Sequence, residues 1–351
     1  MNKDAFTIKK FVEEICCNEC DVNLCREGNV DCYTKKILSL LSNFNDSNEV
    51  VEENSTGCEI CRTKNGKPRS LFVMTDANQT ITGYAERRCN MSYIDVKDFV
   101  KEWKEQLKAA MRPDKTYKLT VIQVGDNPAS NAYIRGKKKD CEELGVVFKH
   151  VKLADEITTE ELAAIVARES AEAATILQLP VPKHIDTNVV FAAMDASHDV
   201  DGLTGRSNFK PCTPSGIIKL LKSLTNLDGA RVCVIGRSAI VGMPLAHMLT
   251  QENATVTLCH SHTVDITSIA RECDIIVSAA GHKWLVDDKY VSEHTQIIID
   301  VGINRENGKL YGDVWSEQIL CAFPDILITP VPGGVGLLTR CALMENVIKG
   351  G

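Results

Sequence analysis

The sequence predicts an α/β protein with two parallel-sheet domains and a small cysteine-rich N-terminal appendage. Three observations predict it. Short apolar runs such as Leu119–Val124 and Arg231–Ile235 alternate with amphipathic stretches of helical length, the pattern of strand–crossover–strand units. Two such series follow one another, the second opening on a glycine turn, Gly236 to Gly242. Before residue 90 the alternation is absent, and eight of the fifteen cysteines lie there.

At 351 residues the chain is long enough for two or three domains with real cores. With 44% hydrophobic and 25% charged residues, its composition is that of an ordinary globular protein. A net charge of −7 speaks against nucleic acid or an anionic membrane as the main partner. No apolar run reaches the length of a membrane span. The first residues, Met-Asn-Lys-Asp-Ala-Phe-Thr, have neither the apolar core of a secretory signal nor the Arg-rich bias of a transit peptide. Cytoplasm is the expected location.

Residues 1–90 form the appended segment. Helical periodicity runs over 6–20 and 33–41, a polar linker over 43–56, and 71–74 with 80–84 predicts a short β-hairpin. Cys17/Cys20 and Cys58/Cys61 are C-x2-C pairs, each the spacing of half a zinc site. With Cys25 and Cys32, or with Cys89, they could supply four thiolates. Reduced thiols in a helical appendage are the competing reading, and a redox role is a third. The odd cysteine total and the missing signal argue against a secreted disulfide framework.

The first α/β series spans 91–211 and is completed by a C-terminal helix over 337–351. It opens with an amphipathic helix, Asp95–Met111, that presents Phe99, Val100, Trp103 and Leu107 on one side. A strand at 119–125 follows, then a helix capped by Ser130 and stopped at Gly145, and a strand at 146–153. Thr158–Glu172 carries a capping-box pattern, and 175–179 is a short buried strand. Tyr133 and Lys137 lie four apart and so share one helix face at the carboxyl end of a strand, where open sheets place ligands. Alone, such a pair proves little, since a Tyr and a Lys at this spacing usually mark a solvated helix face. Gln178 is an amide among apolar neighbours and must find partners. After a helix at 187–193, Asp201 lies in an acidic turn, Asp-Val-Asp-Gly.

The second series spans 212–336. A helix at 215–224 has prolines at its entrance, and the strand 231–235 runs into Gly236-Arg-Ser-Ala-Ile-Val-Gly242 at the start of the next helix. Strand, glycine turn and helix form the setting in which bare amides receive a pyrophosphate, although Ser238 stands where the second glycine of the usual fingerprint falls. The following strand, 254–258, ends without the acid that binds a free ribose 2′-hydroxyl. Arg237 and Ser261 could instead hold a 2′-phosphate, which favours NADP. Further strands are expected at 274–279, 296–301 and 326–328, with Gly281 and Gly302 at two of their ends.

Taken with Asp300-Val-Gly-Ile-Asn and Thr329-Pro-Val-Pro-Gly-Gly-Val-Gly336, these motifs resemble the bifunctional methylenetetrahydrofolate dehydrogenase/methenyltetrahydrofolate cyclohydrolase family over about residues 92–349. The resemblance implies a catalytic α/β domain, a Rossmann-type NADP domain and a cleft between them. It also implies NADP-dependent oxidation of 5,10-methylenetetrahydrofolate, hydrolysis of the product to 10-formyltetrahydrofolate, and a homodimer. Lys137 would be the central acid/base, Gln178 its holder, and Tyr133 a stacking ring. Asp201, Pro332, Gly333 and Gly334 would bind the pterin. Gly236, Arg237, Ser238, Ile240, Gly242, Ser261, Gly281 and Ile303 would bind NADP. Two departures from the family's pattern are an abbreviated loop, Leu203–Lys210, and Leu337-Leu338 where Pro-Met is usual. They leave open an alternative: a monofunctional or impaired member whose front segment binds a metal or a partner.

Overall fold

A computed structural model describes residues 93–350 and, ahead of them, the backbone of three strands: β1 (Cys61–Arg62), β2 (Pro68–Thr75) and β3 (Ile81–Arg88). These three pair antiparallel in the order β1-β2-β3, so the expected hairpin is present and longer than its apolar runs suggested. Cys17, Cys20 and Cys58, the helices expected at 6–20 and 33–41, and the polar linker lie outside the described residues. Of Cys61 only the backbone is described. Among the described residues no cluster of His, Cys, Asp or Glu is placed to hold a metal, and no helix is long and apolar enough to cross a membrane.

One compact unit comprises residues 93–314 and 327 onward and carries everything described below; β1–β3 and a short helix at Ser316–Ala322 belong to the other. The first sheet is all parallel, in the order β5-β4-β6, with β4 (Lys118–Val124) between β5 (Val147–Leu153) and β6 (Ala174–Leu177). Beyond Lys118 every residue of β4 is buried, as a central strand covered on both faces requires. Helices α1 (Val96–Ala110) and α2 (Pro128–Leu144) contribute Val100, Trp103, Ile134 and Cys141 to the larger core. Helices α3 (Thr159–Glu172) and α4 (Thr187–Ala193) enclose Leu162, Val166 and Val190 with Ile122 and Leu177 in a separate cluster. The capping box of α3 forms as expected: Thr158 Oγ1 accepts from Glu161 N at 3.2 Å, and Glu161 accepts from Thr158 N at 3.0 Å.

One cap differs from expectation. Helix α2 begins at Pro128, and Asn127 accepts from Ala129 N at 2.9 Å and Ser130 N at 3.2 Å. Both Asn127 and Ser130 are good capping residues, but proline favours the first helical position, which fixes the cap one residue before it. Ser130 is buried inside the first turn. Similarly, α5 (Cys212–Leu224) starts three residues earlier than expected, and Pro214 sits within its first turn, where no helical N–H is lost.

The second sheet is also all parallel: β7 (Arg231–Ile235), β8 (Thr255–Cys259), β9 (Ile275–Ser278), β10 (Ile297–Asp300) and β13 (Leu327–Ile328) in the order β13-β10-β9-β7-β8. The winding reverses between β7 and β9, and ligands of open α/β sheets bind at the carboxyl ends of strands beside such a switch point. Helix α6 (Gly242–Gln251) follows β7, and a short helix, α7 (Ile266–Arg271), follows β8. Between β10 and β13 a small antiparallel hairpin, β11 (Asn304–Glu306) with β12 (Lys309–Tyr311), had not been anticipated. Its signal was present: Asn307-Gly308, both at positive φ, is the residue pair a two-residue hairpin turn favours. The last helix, α8 (Val335–Gly350), packs against α5, α1 and α2.

Candidate active site

The site forms where α2, the ends of β6 and β7, the start of α5 and the start of α8 converge. Tyr133 and Lys137 project from one face of α2 into a cavity of about 150 Å³, which Gln178, Asp201, Ile240 and Thr339 also line. Lys137 is only 4% exposed, so the pair is not a solvated face. An unpaired ammonium in such a place would cost several kcal/mol, about the desolvation penalty of a buried ion. Two effects resolve the conflict. Burial draws the Lys137 ammonium below the usual lysine range, with Arg340 acting in the same direction and the Asp201 carboxylate opposing both. The nitrogen also finds a neutral acceptor, donating to Gln178 Oε1 at 3.0 Å.

Gln178 is held in turn. Its backbone N–H donates to Ile122 O at 2.8 Å, continuing the β4–β6 ladder, and its Nε2 donates to Leu179 O at 2.7 Å. That second bond orients the amide, so that oxygen and not nitrogen faces Lys137. The Tyr133 ring lies 5.2 Å from Lys137 Nζ, centroid to nitrogen, and its hydroxyl donates to Gly336 O at 3.4 Å. Burial pushes this phenol up to about 12, against a hydrogen bond with Thr339. It stays neutral, a flat ring rather than a proton carrier.

Asp201 reaches the cavity because its neighbour Asp199 anchors the turn. Asp199 is buried and accepts from Gly202 N at 3.0 Å and Thr204 N at 2.9 Å. The abbreviated loop beyond it is well tied. Arg206 donates to the carbonyls of Ala192 and Phe191, and Asn346 of α8 donates to Val200 O at 2.8 Å and Lys210 O at 3.2 Å.

Sequence reasoning passed over Cys212 and Thr339. Cys212 Sγ donates to Val200 O at 3.2 Å, and burial beside Asp201 holds the thiol protonated, its ionisation pushed well up. Thr213 and Thr339 hydroxyls meet at 3.0 Å, joining α5 to α8 at the cavity wall. In sequence Pro211-Cys-Thr-Pro214 reads as a helix entrance; the signal for a second role is its place after the Asp201 turn. Pro332, Gly333 and Gly334 do not line this cavity. They precede α8, whose first turn carries Gly336 against the Tyr133 ring.

The glycine turn after β7 fits a dinucleotide. Gly236 adopts φ 117°, and a Cβ there would overlap the Ala279 carbonyl oxygen at the end of β9. Gly242 opens α6 against the Gly236 carbonyl with equally little room. Ser238 Oγ accepts from Val241 N at 3.2 Å, closing the turn without a second glycine. Arg237 and Ser261, at the ends of the adjacent strands β7 and β8, are both exposed. Ile240 reaches the cavity, so one loop serves both the glycine turn and the Lys137 site. Gly281 lies after β9, and Ile303 after β10 is 61% exposed.

Comparison with known proteins agrees with this geometry. A family model described as the tetrahydrofolate dehydrogenase/cyclohydrolase catalytic domain matches residues 94–201, and the corresponding NAD(P)-binding domain matches residues 211–350. The bifunctional protein FolD of Agathobacter rectalis is 42% identical over 245 residues, which cover 66% of this chain and 87% of that protein. The bifunctional protein FolD of Bacillus subtilis is 42% identical over 275 residues, 73% of this chain and 96% of its own. Among solved structures, the bifunctional FolD of Campylobacter jejuni aligns with a TM-score of 0.70 at 39% identity, covering 74% of this chain and 98% of that one. The Trypanosoma brucei enzyme, solved with NADP cofactor and an inhibitor, aligns at 0.68 and 32% identity, covering 74% and 96%. The chain belongs to the tetrahydrofolate dehydrogenase/cyclohydrolase family.

Proposed function

We propose that this chain oxidises 5,10-methylenetetrahydrofolate to 5,10-methenyltetrahydrofolate with NADP and hydrolyses the product to 10-formyltetrahydrofolate. One observation carries the reading: the buried Lys137 amine, held by Gln178 Oε1 at 3.0 Å, lines one cavity with Tyr133, Asp201 and the glycine-turn residue Ile240. A neutral amine beside a cationic methenyl carbon suits the second step. Lys137 Nζ takes a proton from the attacking water, and Gln178 keeps the nitrogen lone pair aimed by accepting one of its hydrogens. The Tyr133 ring stacks on the folate, and the Asp201 carboxylate accepts the paired N–H donors of the pterin edge. Pro332, Gly333 and Gly334 form the pterin's outer wall.

NADP, when bound, supplies the hydride acceptor. Gly236, Arg237, Ser238, Ile240, Gly242, Ser261, Gly281 and Ile303 hold it, with Arg237 and Ser261 on the 2′-phosphate. In this reading residues 91–211 with 337–351 form the folate domain, residues 212–336 form the NADP domain, and the protein acts as a cytoplasmic homodimer.

The test is a paired assay on one preparation: NADPH formation from 5,10-methylenetetrahydrofolate, then loss of methenyl absorbance without NADP. Both activities are expected. Folded protein that forms no NADPH would overturn the dehydrogenase assignment, and unaccelerated methenyl decay would overturn the hydrolase one.

A further inference from the structure

Two carboxylates take no part in the site described so far. Asp300, at the end of β10, and Asp313, after β12, are buried to 4% and 0% exposure. Asp313 Oδ2 accepts from Ala280 N at 2.8 Å, Gly281 N at 2.9 Å and Ser278 Oγ at 3.3 Å, and its Oδ1 accepts from Asn304 Nδ2 at 3.0 Å. Asp300 Oδ1 accepts from Gly302 N at 3.0 Å and Asp313 N at 2.9 Å, and its Oδ2 accepts from Val314 N at 3.0 Å. All four oxygens face N–H or O–H donors, so the pair is not arranged as a cation ligand.

The glycines beside them are reciprocal. A Cβ on Gly302 would run into the Asp313 carboxylate, and one on Gly312 would run into the Asp300 carboxylate. Each glycine therefore admits the other segment's acid to the backbone. The result is a clasp across the base of the β11–β12 hairpin, and Asp313 extends it to the turn after β9.

What the clasp holds is specific. Ala280 and Gly281 form the turn that follows β9, against which the Gly236 turn packs across the switch point. Asn304 is the chain neighbour of exposed Ile303. Charge-assisted bonds to buried backbone amides are among the stronger hydrogen bonds in a protein, and they fix where those amides point. We infer that Asp313 is a positioning residue for the dinucleotide: it holds the 280–281 backbone and Asn304 where NADP meets them, and Asp300 holds Asp313 in turn. The inference rests on the cofactor assignment proposed above.

The test uses the full chain and Asp313→Asn, which keeps the shape but turns one acceptor into a donor facing N–H groups. NADPH binding is followed by fluorescence, the KM for NADP by dehydrogenase assay, and methenyl hydrolysis without NADP in the same preparation. NADPH affinity is expected to fall roughly tenfold or more, the equivalent of one charged-group hydrogen bond. KM for NADP rises in parallel, while methenyl hydrolysis stays within about twofold, as for an uncoupled site. Asn304→Ala removes only the Oδ1 partner; a smaller loss of NADPH affinity in the same direction is expected, and it decides the matter if Asp313→Asn does not fold. Unchanged NADPH affinity in the folded variants would overturn the inference. So would binding and hydrolysis falling together, the mark of a general structural role. A parent protein that binds no NADPH would instead refute the cofactor assignment itself.

Discussion

Around Lys137 the chemistry resides in side chains, whereas around Gly236 it resides in backbone. In the first region an amine, an amide, a phenol and a carboxylate are brought together from α2, β6 and the Asp201 turn, and each needs its own functional group. In the second, what counts is the side chain that is missing: Gly236 and Gly242 exist so that β7, β9 and α6 can approach. The contrast teaches that one cleft can fail in two ways. It can lose a proton-handling group and keep its shape, or lose its shape and keep every such group.

The experiments that separate these failures follow in order of size. Lys137→Met should lower methenyl hydrolysis by roughly 10²–10⁴-fold, the usual worth of a general acid–base. The hydride step should suffer less, as measured by parallel kcat values. Because burial depresses the Lys137 ammonium, the parent's hydrolysis should reach its plateau at a pH below the ordinary lysine value of 10.5. Protonated below that limb, the amine cannot take a proton from water, so activity falls as pH falls.

Gly236→Ala attacks the other region. A Cβ there meets the Ala279 carbonyl oxygen, so the turn has to move, and NADPH binding by titration should weaken roughly tenfold or more, about the loss of one hydrogen bond to a charged group. Methenyl hydrolysis should persist, and its loss in parallel would erase the distinction between the two regions. Gln178→Ala falls between them in kind: the amine remains but its acceptor is gone. At about 1–2 kcal/mol for an orphaned buried donor, hydrolysis should drop roughly 5- to 30-fold in kcat, and Gln178→Glu should shift its pH profile upward by restoring charge to Lys137.

The smallest effect on activity concerns Asp300, whose change falls on stability. Burial pushes its carboxyl up to about 7 from an ordinary 3.8, against the backbone N–H groups it accepts, with Asp313 adding to the rise. The folded chain thus holds a proton that the unfolded chain releases near pH 4. The associated stability is fully present below that point and is lost as pH rises through about 7. Asp300→Asn should flatten this slope. A rise from 3.8 to about 7 corresponds to about 4 kcal/mol. The change in how Tm varies from pH 4 to 7 should therefore be on the order of 10 °C, at about 2–4 °C per kcal/mol.

How much of this could be read from the sequence depended on how locally each feature is encoded. Tyr133 and Lys137 were legible because helical spacing alone puts them on one face, and Gln178 because an amide in an apolar run has to be explained. The alternation of strands and helices was legible for the same reason. The Asn127 cap was misplaced because two capping residues compete within one turn. Asp313 and Thr339 escaped because nothing near them in sequence announces their partners. Asp313 serves amides more than thirty residues away, and Thr339 meets Thr213 across 126 positions. The hairpin at 304–311 was missed despite Asn307-Gly308, since strands of three residues leave almost no periodicity to read.

Helix α8 carries a consequence for how the protein is made. Its Met344 meets Cys141 of α2 at 3.8 Å, its Arg340 pairs with Asp140 at 3.2 Å, and Gly336 at its start accepts from Tyr133. The segment that covers α1 and α2 therefore comes after the whole glycine-turn half in the chain. While the ribosome is still extending the chain through the glycine-turn half, the apolar faces of α1 and α2 wait uncovered, and they are closed only once α8 has followed.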